Sequence, residues 1–309
     1  MKNKTNFMTK TWVIVVGAMI CCTLWGSAFP CIKIGYRMME IAAADTASQI
    51  LYAGYRFTLA GVLTIVLGSI LQRKILLPKR SSIGKIGLLS LLQTVLQYLF
   101  FYIGLAHTTG VKASIIEAVS TFVAILVAGY LFHQETVTSR KMLGCLIGFA
   151  GVVLVNVAGS GMDFHFSPAG DGCILLSTVA YAFSSVCMKR FSQKEDPVML
   201  SGYQFILGGI VMIACGAAMG GHLKAFTASA AALLIYMAMI SAVAYSLWGM
   251  LLKYNPVSKV TVFGFMNPVI GVILSALLLN ETESLGVSSV LALGLVCVGI
   301  YIVNAKDKD

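Results

Sequence analysis

The chain has 309 residues, of which 58% are hydrophobic and only 11% charged, with a formal net charge of +10 and mean hydropathy +0.89. A soluble domain carries about 25% charged residues, so this composition excludes a soluble globular protein and leaves an integral membrane protein with several helices. The surplus Lys and Arg lie in short segments between apolar runs, which fits membrane orientation and argues against nucleic-acid binding.

A helix crosses the hydrocarbon core with about 20 apolar residues. Ten such runs follow in chain order, at roughly 12–34, 48–71, 86–105, 111–132, 141–158, 170–188, 198–219, 227–250, 257–279 and 286–304. The expected fold class is therefore an all-α membrane protein with ten transmembrane helices. The linkers are too short for a soluble domain. The first run lacks a small-residue cleavage site, so it reads as a spanning helix and not as a cleaved signal peptide. The eight cysteines sit mostly inside apolar runs and have no zinc-site spacing. They read as small packing residues.

Lys and Arg set the orientation. With the N-terminus in the cytoplasm, 17 of them fall in inner segments. Four fall in outer ones: Lys33, Arg37, Lys112 and Lys224. Arg56 lies within a helix. Both termini are thus expected to be cytoplasmic, in a multi-pass protein of the cytoplasmic (cell) membrane.

The chain repeats itself. Gly54-Tyr55-Arg56-Phe57-Thr58-Leu59-Ala60-Gly61 returns as Gly202-Tyr203-Gln204-Phe205-Ile206-Leu207-Gly208-Gly209, an offset of 148 residues with five of eight positions identical. Such self-similarity in an apolar chain points to a transporter built from two repeats. Ten helices divide five and five. Five is odd, so the second copy enters the membrane inverted, related to the first by a pseudo-two-fold axis in the membrane plane. The halves are residues 1–160 and 161–309, divided at the linker from Gly159 to Gly170. Other features match in order. Glu135 and Glu281 end the fourth and ninth helices. Gly-rich helices closing at Asn156 and Asn304 follow them. Trp25 to Lys33 aligns with Tyr181 to Lys189, and Tyr98 with Tyr245.

These pieces resemble the ten-helix EamA branch of the drug/metabolite transporter superfamily. The resemblance rests on Trp25-Gly26-Ser27-Ala28-Phe29 with Lys33, on Tyr55-Arg56-Phe57, and on Glu135 and Glu281. It also rests on Ala244-Tyr245-Ser246-Leu247-Trp248 and on Asn267-Pro268-Val269. It covers nearly the whole chain and is specific to family, not to substrate. It implies export of amino acids, related metabolites or toxic compounds. One departure is Phe122, which stands where the repeat puts Pro268 and where the family often has proline. Whether the first copy kinks there is left open by the sequence.

A charge in the bilayer costs about 2.5–3.5 kcal/mol on insertion scales, which singles out Arg56 and Glu117. They lie roughly 12 and 9 Å below the outer ends of their helices, at 1.5 Å per residue. Three readings are open. Glu117 faces a central cavity, to attract a cation or take up a proton; it pairs with Arg56 and fixes packing; or it faces outer water. Lys112 is expected to snorkel to the outer interface. Gln93 and Gln97 share a helix face, and Gln204 stands where the first copy has Arg56. Trp25, Gln97, Tyr98, Tyr245, Trp248 and Asn267 are cavity candidates, with packing as the alternative for the aromatic ones. Pro268 frees the carbonyl of Gly264, and Pro30 that of Gly26. Freed carbonyls at membrane depth survive only where protein or cavity water satisfies them. These two stretches are therefore cavity linings, hinges or packing kinks. Glu135 and Glu281 read as structural, capping the next helix.

The function expected is a secondary transporter, in the exporting direction, for a small organic solute such as an amino acid, metabolite or drug. It would work by alternating access, with proton coupling through Glu117. The alternative is an uncoupled facilitator or channel-like pore. An aromatic cavity with one carboxylate suits a zwitterionic or cationic solute. No nucleotide-binding loop is present, so ATP is not a direct partner. The aspartates lie outside the apolar runs, the histidines lie at helix ends or loops, and no HExxH occurs. This argues against an enzyme. No cofactor or metal site is expected. The partners are a small-molecule substrate and the lipid bilayer, and the chain is a monomer or homodimer.

Overall fold

The computed structural model describes residues 7–157, 166–224, 227–279 and 287–305. Most of the dividing linker, Glu281 and the terminal lysines Lys2, Lys4, Lys306 and Lys308 lie outside these residues. Among the described residues, ten helices are long and apolar enough to cross a membrane. They are α1 (Thr11–Met38), α2 (Thr46–Gln72), α3 (Arg80–Leu105), α4 (Lys112–Leu131) and α5 (Ser139–Val157), then α6 (Pro168–Ser192), α7 (Pro197–Ala218), α8 (Ala228–Tyr254), α9 (Val257–Leu274) and α10 (Val287–Asn304). No strand occurs among the described residues. The all-α, ten-helix expectation holds.

Local chemistry sets several ends. Asp45 accepts the Ser48 N–H at 3.0 Å at the head of α2, and Arg73 closes that helix with φ 52°. Asp196 accepts the N–H groups of Val198 and Met199, with Pro197 in the first turn of α7. Both are side-chain caps of the kind that satisfy orphan donors. α1 runs four residues past the expected end at 34. Lys33 and Arg37 end the apolar run, whereas backbone bonding continues to Met38.

The helices are less regular than hydropathy implies. π-helical turns occupy Ser90–Leu96 in α3, Val127–Leu131 in α4 and Pro168–Gly172 at the start of α6. α9 contains a 3-10 stretch at Val262–Phe265. α4 is interrupted at Val119. The first copy thus has a break three residues before Phe122, which stands where the repeat puts proline. Gln97 lines the cavity described below and Gln93 does not.

α2 and α7 pack most intimately. A Cβ at Gly61 would lie 2.5 Å from the Gly202 carbonyl oxygen, and one at Gly209 would lie 2.9 Å from that of Gly54. Each glycine of one octet thus meets the opposite glycine of the other, a self-complementary contact. Lipid gives no hydrophobic drive for helix association, so close backbone approach carries the packing. α5 and α10 meet likewise: the Cβ of Gly144 would lie 2.9 Å from the Gly299 oxygen, and that of Gly299 2.5 Å from the Gly144 oxygen. We expect Gly61→Leu to force α2 from α7 and lower stability by about 1–3 kcal/mol, the usual overpacking cost. Gly87→Leu, where a Cβ meets nothing within 4 Å, should leave the melting temperature in detergent unchanged.

Candidate functional site

A cavity with about 150 Å³ of water-accessible space lies between α1, α2, α3, α4, α6, α8 and α9. Its lining reaches from the middle of the bundle towards the end where α1 finishes. On α1 it includes Trp25, Ala28 and Ile32. On α4 it runs from Ser114 to Ala124, and on α9 from Thr261 to Pro268. All seven cavity candidates line it: Trp25, Gln97, Tyr98, Glu117, Tyr245, Trp248 and Asn267. Arg56, Gly264 and Pro268 line it too.

Gly26 and Pro30 are not among its lining residues. A Cβ on Gly26 would run into Ile270 and the Gly271 backbone of α9. That stretch is packing surface between α1 and α9. Gln204 is fully buried, and it accepts a 2.7 Å bond from Thr94 instead of facing the cavity.

Aromatic rings wall the centre. Trp25 meets Tyr245 at 5.1 Å and Trp248 at 5.0 Å, both edge-on. Phe57 stacks on Phe205 at 5.4 Å with planes 9° apart. The hydroxyls of Tyr98 and Tyr245 share a hydrogen bond of 2.9 Å. Phe57 and Phe205 match in the two octets, and Tyr98 matches Tyr245. In each case a residue touches its own counterpart, as it would on a two-fold axis.

The charges of the cavity are not neutralised by each other. Arg56 is 3% exposed and donates from Nη2 to Ser241 Oγ at 3.0 Å, while its Nε has no partner. Glu117 is half-buried. Among the described residues the ion pairs are Lys85–Glu195, Lys112–Asp171 and Lys141–Glu135. The suggested Arg56–Glu117 pair does not form. Lys112 pairs with Asp171 at 3.7 Å, at the ends of α4 and α6, and Asp171 also takes bonds from Thr108 and the Ser167 N–H. The buried donors Trp25 Nε1 and Trp248 Nε1 and the buried acceptors Gln97 Oε1 and Asn267 Oδ1 lack protein partners. A buried polar group without a bond is costly. On a cavity wall, a polar solute or water can supply that bond.

Sequence reasoning missed Ser114, Ser120, Thr121, Ser177, Thr178 and Tyr181, which also line the cavity. Tyr181 had a signal, because the repeat aligns it with Trp25. The small hydroxyl residues had none.

The opposite end of the bundle is tied by polar contacts. Glu135 accepts the Ser258 N–H at 2.9 Å, the Ser258 hydroxyl at 2.5 Å and Lys141 Nζ at 2.9 Å. Glu135 therefore caps the start of α9, in the other half of the chain, and not the next helix. Thr138 takes that place at α5, accepting the Lys141 N–H at 3.4 Å. Lys189 bridges the carbonyls of Leu252 and Asn255, at the end of α8. Gln134 donates to the Val186 carbonyl of α6. Glu195, between α6 and α7, is held below the usual carboxylate range by the bond from Lys85.

The EamA-like transporter family matches the chain twice, over residues 12–157 and 168–305. An uncharacterized transporter of Archaeoglobus fulgidus is 27% identical over 303 residues, 96% of this chain and 99% of its own. The uncharacterized transporter YvbV of Bacillus subtilis is 26% identical, over 92% of this chain and 89% of its own. The uncharacterized inner membrane transporter YedA of Escherichia coli is 28% identical, over 92% and 90%. One solved crystal structure superposes with a TM-score of 0.77 at 16% identity, covering 94% of this chain and 96% of the other, which is a likeness of fold alone. By these matches and its ten spans the chain belongs to the EamA-like transporter family, an integral, multi-pass membrane protein among transporters and not enzymes.

Proposed function

We propose that the protein is a secondary exporter of the cell membrane. Its solute would be a small zwitterionic or cationic organic compound, such as an amino acid, metabolite or drug. The observation that carries this reading is the aromatic cavity. It holds a carboxylate, Glu117, and a guanidinium, Arg56, that do not pair with each other. A carboxylate of the solute would meet Arg56 and the indole N–H donors. Its ammonium group would meet Glu117 and an amide acceptor, and its apolar part would lie on the rings.

In this reading residues 1–160 and 161–309 are inverted repeats, and both termini are cytoplasmic. The matched contacts across α2 and α7, and between Tyr98 and Tyr245, support that symmetry. The cavity then opens outward, and the Glu135, Lys189 and Gln134 contacts close the inner side. Rocking one half against the other would exchange the two ends. The freed carbonyl of Gly264 ahead of Pro268, the 3-10 stretch beside it and the break at Val119 are where we expect bending.

The test is transport of an amino-acid and amine panel into proteoliposomes, with and without an imposed pH gradient. At least one zwitterionic or cationic compound should move, faster with the gradient. Movement of only neutral or anionic compounds would refute the solute class. Equal rates with and without the gradient would identify a facilitator.

A further inference from the structure

α8 packs against both α1 and α2 and lies between them. There the three helices enclose a second hollow of about 670 Å³, which shares no lining residue with the central cavity. Its walls carry Val16 and Ile20 of α1 and Leu71 of α2, which are 50%, 45% and 83% exposed. In a protein with ten spans such residues face hydrocarbon, so the hollow is a groove open sideways to the bilayer.

Its length fits one leaflet. The lining runs from Trp12 to Ile20 on α1, with Phe7 and Met8 just before that helix, and from Ala242 to Tyr254 on α8. The twelve steps along α8 at 1.5 Å each give roughly 18 Å. Half of a 30 Å hydrocarbon core is about 15 Å. An acyl chain fills that depth. A helix of a second copy would need the whole bilayer.

The mouth of the groove is basic. Lys10 sits between Met8 and Trp12, Arg73 follows Gln72, and Lys253 is itself a lining residue. Asn255 donates to the Met8 carbonyl at 3.1 Å, which holds the turn carrying Lys10 over the end of α8. Lys253 donates to the Glu195 carbonyl at 3.3 Å, which keeps its ammonium at the mouth. Trp12 is 55% exposed and meets Phe7 edge-on at 5.4 Å, an aromatic pair of the sort found at headgroup level. The acid at the mouth, Asp196, is engaged by the Val198 and Met199 N–H groups. Three cations around one tied carboxylate complement a phosphate.

We propose that this groove binds one anionic phospholipid from the leaflet on the side of the basic loops. Its acyl chain lies along α8, and its phosphate rests among Lys10, Arg73 and Lys253. The site is independent of the transported solute.

The test is native mass spectrometry of the protein in a neutral detergent with equal amounts of phosphatidylglycerol and phosphatidylcholine. One phosphatidylglycerol should be retained in preference. Lys10→Ala and Arg73→Ala should each weaken that preference about fivefold, following the usual contribution of a surface cation. Ser246→Trp at the floor and Val16→Trp at the wall should remove bound lipid of either headgroup. Val16 already faces lipid, so an unchanged melting temperature for Val16→Trp shows that the fold is intact. Retention unaltered by both tryptophans would overturn the site. Equal retention of the two lipids by the wild type would overturn the phosphate contact. Loss of a dimer without loss of lipid would assign the groove to a second copy instead.

Discussion

Glu117→Gln is expected to abolish the acceleration of transport by a pH gradient, a loss of at least about tenfold in gradient-driven flux. Solute exchange at equal pH should persist at a reduced rate for a zwitterion, because glutamine keeps an acceptor for the ammonium group but loses the charge. The argument begins with electrostatics. A carboxylate inside a membrane protein carries a heavy desolvation cost unless it is paired, solvated or protonated. Glu117 lines the cavity and has no ion pair among the described residues. Arg56 bonds Ser241 through Nη2 and forms no ion pair with Glu117. In our proposal a proton or the solute meets that cost, where cavity water alone would give no coupling. If the two compete for the carboxylate, one is released as the other binds, and a proton gradient drives the solute the opposite way. Glutamine keeps the size and the acceptor oxygen but cannot gain a proton. Proteoliposome flux with and without the gradient measures this for both proteins. Full gradient dependence in the mutant would remove Glu117 from coupling.

The cavity was legible in the sequence where its chemistry contrasts with lipid. Arg56, Glu117, Gln97 and Asn267 stand out because a polar group at that depth needs a reason. Trp25, Tyr98 and Tyr245 stand out through the repeat, and Trp248 through the motif Ala244-Tyr245-Ser246-Leu247-Trp248. Thr178 and Ser177 do not, because such hydroxyls can be satisfied within their own helix. Thr178 donates to the Ile174 carbonyl at 2.8 Å, which any apolar helix allows. Backbone irregularity was the other blind spot. The break at Val119 and the π-turns at Ser90–Leu96 and Val127–Leu131 contain no proline. A hydropathy window has no view of helix register. Partners across helices were not legible for the same reason. Lys112 and Asp171 are far apart in sequence, and the π-turn at Pro168–Gly172 draws Asp171 into the bundle. Glu135 was recognised as structural from its place at a helix end. That its carboxylate serves α9 depended on three-dimensional contacts.

Those contacts make Glu135→Ala the second large effect. The Glu135 and Lys141 side chains are 5% and 9% exposed. Removing the carboxylate strands the Lys141 ammonium with the Thr136 carbonyl as its hydrogen-bond partner. It also takes the acceptor from the Ser258 N–H and hydroxyl. Breaking a buried pair from one side costs about 3–5 kcal/mol. In a protein with two facing states, this cost falls on the state that holds the contact. Each 1.4 kcal/mol then shifts the balance about tenfold towards the other state. Glu135→Ala should therefore lower the melting temperature in detergent. It should also raise the labelling of a single cysteine at Thr261 by a reagent confined to the side of the basic loops. Thr261 is 4% exposed and lines the deep end of the cavity, towards that seal. Lys141→Met in the same chain should recover much of the melting temperature, because the stranded charge is gone. It should not recover the closed seal, because Ser258 still lacks its acceptor. Glu135→Gln keeps that acceptor and should label less than Glu135→Ala. Unchanged labelling in both would mean that the carboxylate only anchors α9 and takes no part in closing that end of the bundle.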